Sequence, residues 1–238
     1  MAGAMADDMA DDMAEMSSLP SGQSLAVRLN GEPMQLLADR ALYWPAQRRL
    51  LLADLHLGKG NVLRAAGIPV PTGGTAHDLQ RIAVLLRATA ATSLWILGDF
   101  LHGPRHQRVD AAWCAFREAH ADVTVAVVRG NHDRDFDPGA ACVEELHDGI
   151  RIGCFVMRHA PPRTSLAGTH VLCGHLHPVL RLRGAGAHPL FWLQRDCTVL
   201  PAFSSFTGGL RVAPRECPGS VICNGRSLLR LGGNMEQP

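Results

Sequence analysis

"LLLADLHLGKGNVLRAAG", residues 50–67, runs from a continuous apolar stretch through Asp54 and His56 into apolar residues at helical spacing. A short apolar run bounded by a glycine reads as a buried strand, and "NVLRAAG" as the helix that follows it. Side chains at i and i+2 of a strand point to one face, so Asp54 and His56 are expected to share a direction if the strand continues that far. The same grammar repeats downstream. "AHDLQRIAVLLRATA" (76–90) is helical in period with Thr75 as the expected cap, "SLWILGD" (93–99) returns to strand, "RVDAAWCAFREAH" (108–120) is a helix and "VTVAVVRGNHD" (123–133) a strand. Strand and helix in alternation build a parallel sheet whose functional residues gather at the carboxyl ends of the strands.

Outward from this unit the chain is richer in strands. "LAVRLN" (25–30), "MQLLAD" (34–39) and "ALYW" (41–44) form a meander that feeds the first buried strand. Beyond it, "GIRIGCFVMRHAPP" (149–162), "GTHVLCGHLHP" (168–178), "VLRLRG" (179–184), "DCTVLPAF" (196–203), "GLRVAP" (209–214) and "SVICNG" (220–225) read as strands of a second sheet. The expected fold class is α/β: two mixed β-sheets packed as a sandwich and flanked by helices. Residues 23–238 are expected to form a single domain. Residues 1–22 begin with "MAGAMADDMADDMAEM", acidic and without a basic residue, and read as a solvated, disordered tail rather than a secretory leader.

Composition narrows the function classes. No apolar run approaches the roughly 20 residues that span a bilayer, so no membrane partner is expected. Setting aside the acids of the tail leaves a mildly basic body in which all but one of the cations, Lys59, are arginine. The 7 cysteines include no C-x-x-C pair, which argues against a disulfide framework and a zinc–thiolate site and for a reduced, cytoplasmic setting.

Five apolar strands end in metal-ligand chemistry: "LLLADLH", "LWILGDF", "VAVVRGNHD", "GCFVMRHAP" and "HVLCGHLH". An aspartate after an apolar run often caps the next helix, and Gly-Asn is a common turn, but five such endings in order exceed these explanations. With carboxyl ends together, Asp54, His56, Asp99, Asn131, His132, His159, His175 and His177 converge on one surface. Imidazole and carboxylate donors suit two divalent ions of the manganese, iron or zinc kind. Two such ions about 4 Å apart need a shared ligand and can hold a hydroxide between them as nucleophile, and Asp99 is the candidate bridge.

Asp-x-His, Gly-Asp, Gly-Asn-His-Asp, His and Gly-His-x-His in this order resemble the calcineurin-like metallophosphoesterase superfamily. The resemblance implies that Asp54, His56, Asp99 and His177 hold one metal and that Asp99, Asn131, His159 and His175 hold the other. His132 is then the catalytic residue, contacting phosphoryl oxygens and protonating the leaving oxygen, with Asp99 or Asp133 influencing its charge. "ADLHLGKG", "RAAGIPVPTGGT", "LGDFLHG" and "LPAFSSFTGG" are similar to one branch, the bacterial ligase-associated DNA damage response phosphoesterases. That similarity implies a manganese-dependent endonuclease or phosphodiesterase acting on DNA in repair, associated with a DNA ligase, a helicase and an exonuclease. A nucleotide or lipid-precursor pyrophosphatase of the same superfamily is the alternative, and a non-catalytic metal-binding scaffold is another.

His147 and His170 precede the strands that carry ligands and are expected at the opposite sheet edge, while His120 and His188, the latter in a Gly-rich loop, are expected at the surface. His102 lies on the same rim as Asp99 and can reach substrate. Lys59 and Arg64 can neutralise a phosphate, and Arg105, Arg108, Arg158, Arg163, Arg181 and Arg183 can line a track for a nucleic-acid backbone.

Overall fold

The structure, a computed structural model, describes residues 23–103 and 106–232. The acidic stretch 1–22 and Arg105 lie outside the described residues. The first sheet opens with β1 (Ser24–Leu29), β2 (Glu32–Leu37), β3 (Ala41–Trp44) and β4 (Arg49–Leu52), an antiparallel meander. From β4 the sheet continues in parallel through β5 (Ser93–Leu97), β6 (Thr124–Val128) and β7 (Glu144–Leu146). Helices α1 (Lys59–Ala65), α2 (Gly74–Thr89) and α3 (Gln107–Ala119) lie in the connections between the parallel strands.

The second sheet begins with the hairpin β8 (Ile150–Ile152) and β9 (Phe155–Met157). Parallel pairing joins β9 to β10 (His170–Cys173) and β10 to β13 (Cys197–Val199). Antiparallel pairing then adds β12 (Gly186–Leu193), β14 (Val221–Cys223) and β15 (Leu228–Arg230), with β11 (Val179–Leu182) paired to β12. Two mixed sheets with flanking helices are thus observed.

Strand alternation sorts the core. Leu50 and Leu52 face Leu79, Ile82, Leu86, Trp113 and Phe116 of the helices. Leu51 and Ala53, one residue out of phase, face Phe155, Met157, Leu172 and Phe191 of the second sheet. A one-residue slip would exchange these sets, so register is fixed by burial on both faces. Each leucine, isoleucine, methionine or phenylalanine among them, fully buried, contributes about 1.5–3 kcal/mol.

Several expectations change. The run 149–162 is not one strand, because Gly153 at φ +58° turns the chain back on itself between β8 and β9. The residues before β8 therefore lie beside the end of β9, and His147 sits at the same sheet edge as His159, not the opposite one: its neighbour Asp148 accepts the His159 N–H at 2.9 Å. Thr75 does not cap α2, whose N-cap is Gly73; its hydroxyl accepts the Gly58 N–H instead. "GLRVAP" contributes only an isolated bridge between Arg211 and Val179. His188 lies in β12 rather than a loop, and β12 itself was hidden by Pro189 and the glycines before it. Among the described residues, no helix is long and apolar enough to cross a membrane.

Candidate metal centre

The first ligand strand stops earlier than its apolar run. β4 ends at Leu52, and Asp54 and His56 adopt left-handed backbones, φ +54° and +47°. They are brought together by a tight turn and not by the pleat of a strand. The turn is stitched to the next strand end: Asp54 N donates to the Gly98 carbonyl at 3.1 Å and His56 N to that of Asp99 at 2.7 Å. Asp99, His175 and His177 are left-handed as well, at φ +49°, +70° and +48°. Such conformations are disfavoured away from glycine and concentrate where a site needs them.

Asp99 occupies the middle. Its Oδ2 lies 3.6 Å from His56 Nε2 and its Oδ1 3.6 Å from His159 Nε2. Around one side, Asp54, His56, Asp99 and His177 each bring a ligand atom into one small group; around the other, Asp99, His159 and His175 do the same. Asn131 joins the second group, its Oδ1 2.9 Å from His159 Nε2. Asp54 is fully buried and accepts the His175 N–H at 2.8 Å, which ties the two groups together through the backbone.

The proton inventory shows what these groups lack. His159 Nδ1 faces the Leu97 carbonyl and His177 Nδ1 the Gly208 carbonyl, so both rings carry their proton there and turn a bare Nε2 inward. His177 Nε2 then meets Asp54 Oδ1 at 3.4 Å and His56 Nε2 at 3.4 Å. His159 Nε2 meets His175 Nδ1 and the Asn131 oxygen, both at 2.9 Å. Imidazole nitrogens and carboxylate oxygens are thus gathered at the spacing from which a cation could be held. The donor set, imidazole and carboxylate without thiolate, fits borderline divalent ions.

His132 stands at the rim, exposed, with its N–H on Asp99 Oδ1 at 2.9 Å. Its ring stacks on His102 with centroids 4.7 Å apart and meets the edge of His56 at 5.2 Å. Burial, followed by Lys59 and the surrounding histidines, holds the His56 imidazole far below its ordinary pKa. The same causes push His102 down to about 4. Lys59 is half-buried beside them: burial lowers its pKa, while Asp99 and Asp54 pull it back up.

Asp133 does not face His132. Its carboxylate accepts from Leu101 N at 2.8 Å, Gly130 N at 2.8 Å and Phe100 N at 3.2 Å, which locks the Asp99 loop to the Asn131 turn. Arg158 is paired with the Asp148 carboxylate at 2.8 Å, which offsets its charge, whereas Arg64 bonds only neutral partners, the Pro71 carbonyl at 2.8 Å among them. Asp148 was missed by sequence reasoning, since an acid before a glycine is an ordinary turn signal. Gly98 has a steric reason: a methyl there would land in the His159 ring.

The calcineurin-like phosphoesterase family model matches residues 48–195, most of the chain and every ligand group just described. The chain belongs to the calcineurin-like phosphoesterases. Among solved structures, this phosphoesterase is similar to the Pseudomonas putida nuclease MPE at 33% identity, covering 87% of this chain and 100% of that one, with a TM-score of 0.76. It also matches a protein of unknown function from Aquifex aeolicus at 20% identity, covering 54% of this chain and 78% of that one, with a TM-score of 0.39, too loose a likeness to support fold or function. No curated protein matches it.

Proposed function

We propose that this phosphoesterase hydrolyses phosphodiester bonds of nucleic acid, DNA in a repair setting first, at a centre that holds two divalent ions. The observation that carries the reading is the pair of acceptor groups sharing Asp99, in which bare imidazole nitrogens and carboxylate oxygens face one another. Asp54, His56, Asp99 and His177 would hold one ion, and Asp99, Asn131, His159 and His175 the other, manganese in preference to iron or zinc. Such ions supply charge neutralisation at the phosphoryl oxygens and a water acidic enough to attack at neutral pH.

The chain's own residues do the rest. Leu97 and Gly208 fix the His159 and His177 rings through their carbonyls, so the ligand geometry is set before substrate arrives. His132, held at the rim by its N–H on Asp99 and by stacking on His102, presents a ring nitrogen to the departing oxygen and hands it a proton. Lys59 adds positive charge beside the cluster. The nuclease relative favours a polynucleotide over a lipid precursor. Among the described residues the large exposed apolar side chains are Val62, Ile68, Val84, Leu210 and Leu229, dispersed over separate elements rather than gathered for an acyl chain. Residues 23–238 would act as one domain, in the cytoplasm, alongside a ligase, a helicase and an exonuclease.

The test is manganese-dependent hydrolysis of bis(p-nitrophenyl) phosphate against the monoester, followed by cleavage of DNA on a gel. Diester turnover that disappears in Asp99→Ala and drops in His132→Ala is expected. Protein that binds two ions and cleaves neither substrate would favour a scaffold instead.

A further inference from the structure

The segment "LPAFSSFTGG", residues 200–209, enters the chemistry above only through the Gly208 carbonyl, yet it is fastened to both flanks of the candidate ligand set. Ala202 bridges Ala53, and Phe203 N donates to the Ala53 carbonyl at 2.9 Å, next to Asp54. At its far end Gly208 accepts from His177, and Gly209 packs so tightly that a methyl there would strike the His177 carbonyl and lie 2.8 Å from Val179 Cγ1.

This segment walls a cavity of about 490 Å³ that opens beside His177 and is lined by Arg40, Arg211 and Ser205, with no acidic side chain in its lining among the described residues. Arg40 is half-buried on a left-handed backbone, φ +64°. Its hydrogen bonds go to the carbonyls of Ser204 at 3.0 Å and Ala202 at 3.4 Å, both neutral. The nearby carboxylates are engaged elsewhere: Arg81 holds Asp39 at 2.6 Å and Asp78 at 2.9 Å. Burial, then the Arg81 charge, lowers the Arg40 pKa, and Asp39 and Asp78 offset only part of this. A forked cation withdrawn from water and bonded only to carbonyls is prepared for an oxyanion.

We propose that this cavity binds a phosphate of the substrate strand other than the one being cleaved, held by Arg40 and Arg211 with the Ser205 hydroxyl. The inference rests on the phosphodiesterase reading and adds to it a route for the strand, across the metal centre and past His177. Substrates with a single phosphate would gain nothing from it. Selection for a polynucleotide then resides partly in the 200–209 segment.

Anisotropy of a labelled oligothymidine, with chelator present to prevent turnover, tests the cavity apart from catalysis. Arg40→Gln and Arg211→Gln should each raise Kd about tenfold and lower the slope of log K against log salt by about 0.7, the loss of one phosphate contact. Arg28→Gln, on the exposed outer strand β1, should change neither. Unchanged affinity in Arg211→Gln, whose side chain is exposed and cannot cost folding, would overturn the proposal, as would wild-type protein that does not bind the strand. Equal losses for inorganic pyrophosphate would assign the cavity to the second phosphoryl of a diphosphate and refute the strand assignment. Turnover of the small diester is scored separately: its absence, with the affinity pattern intact, would refute diester cleavage and leave the phosphate cavity standing.

Discussion

The Nδ1 atoms of His102 and His56 lie 3.0 Å apart, so one of the two rings gives the other a proton along that line. With His56 Nε2 turned toward Asp99 and His177, the bond places His102 to orient this candidate ligand from behind. His102→Ala should therefore weaken manganese binding and turnover together, each about 10–100-fold. Calorimetric titration decides it: unchanged affinity would reduce the pair to packing.

Among the described residues, Asp99 is the side chain common to both candidate groups. Asp99→Ala should abolish binding at both, whereas His175→Ala should weaken the second group and spare the first. Metal content after dialysis against manganese reads the stoichiometry directly. Two ions retained without Asp99 would mean that the groups fill independently.

Removing divalent ions should lower the melting temperature, since mutual repulsion among the buried acceptors is no longer offset. Manganese at 100 times its dissociation constant should restore about 2.7 kcal/mol relative to chelated protein. A melting curve that ignores chelator would show that the acceptors are satisfied without metal.

Gly98, at φ +86°, faces the His159 ring. Gly98→Ala combines backbone strain with a collision and should cost about 2–4 kcal/mol by denaturant unfolding. Whatever folds should have lost affinity at the His159 group first. Wild-type stability in this variant would mean that the ring moves aside freely.

His170 is buried at the far end of β10 from the ligands, with Nε2 2.9 Å from the Thr198 hydroxyl, and burial pushes its pKa from 6.5 down to about 4. The unfolded chain takes up this proton at higher pH than the fold does. Stability is thus fully present above pH 6.5 and falls as the pH drops toward 4, by on the order of 2–3 kcal/mol. Urea unfolding of wild type and His170→Asn between pH 7 and about 5, above most carboxylate titrations, should show a flatter curve in the variant.

The sheet order was readable because buried parallel strands write continuous apolar runs, and each run ended on a polar residue where the chain left the core. Residues such as Asp54 and His175 were legible as chemistry because no core role suits them. Their local geometry was not: nothing in "ADLH" announces two left-handed backbones, because that conformation goes with hydrogen bonds donated to the carbonyls of Gly98 and Asp99, some 44 residues away in the chain for Asp54 and Gly98. Asp148 and Arg40, and the backbone-binding role of Asp133, escaped for a related reason. Each acts through backbone atoms of distant segments, and a carbonyl or amide partner leaves no letter in the sequence.

The acceptor groups straddle the seam of the sandwich: Asp54, His56, Asp99 and Asn131 follow strands of one sheet, and His159, His175 and His177 follow strands of the other. His56 and His177, whose Nε2 atoms come within 3.4 Å, are separated by 121 residues of chain. Neither half can assemble the centre alone, so a nascent or half-folded chain lacks the complete set of candidate ligands. In a refolding experiment, recovery of diester turnover should trail the return of buried-tryptophan fluorescence, making catalysis the last property the molecule acquires.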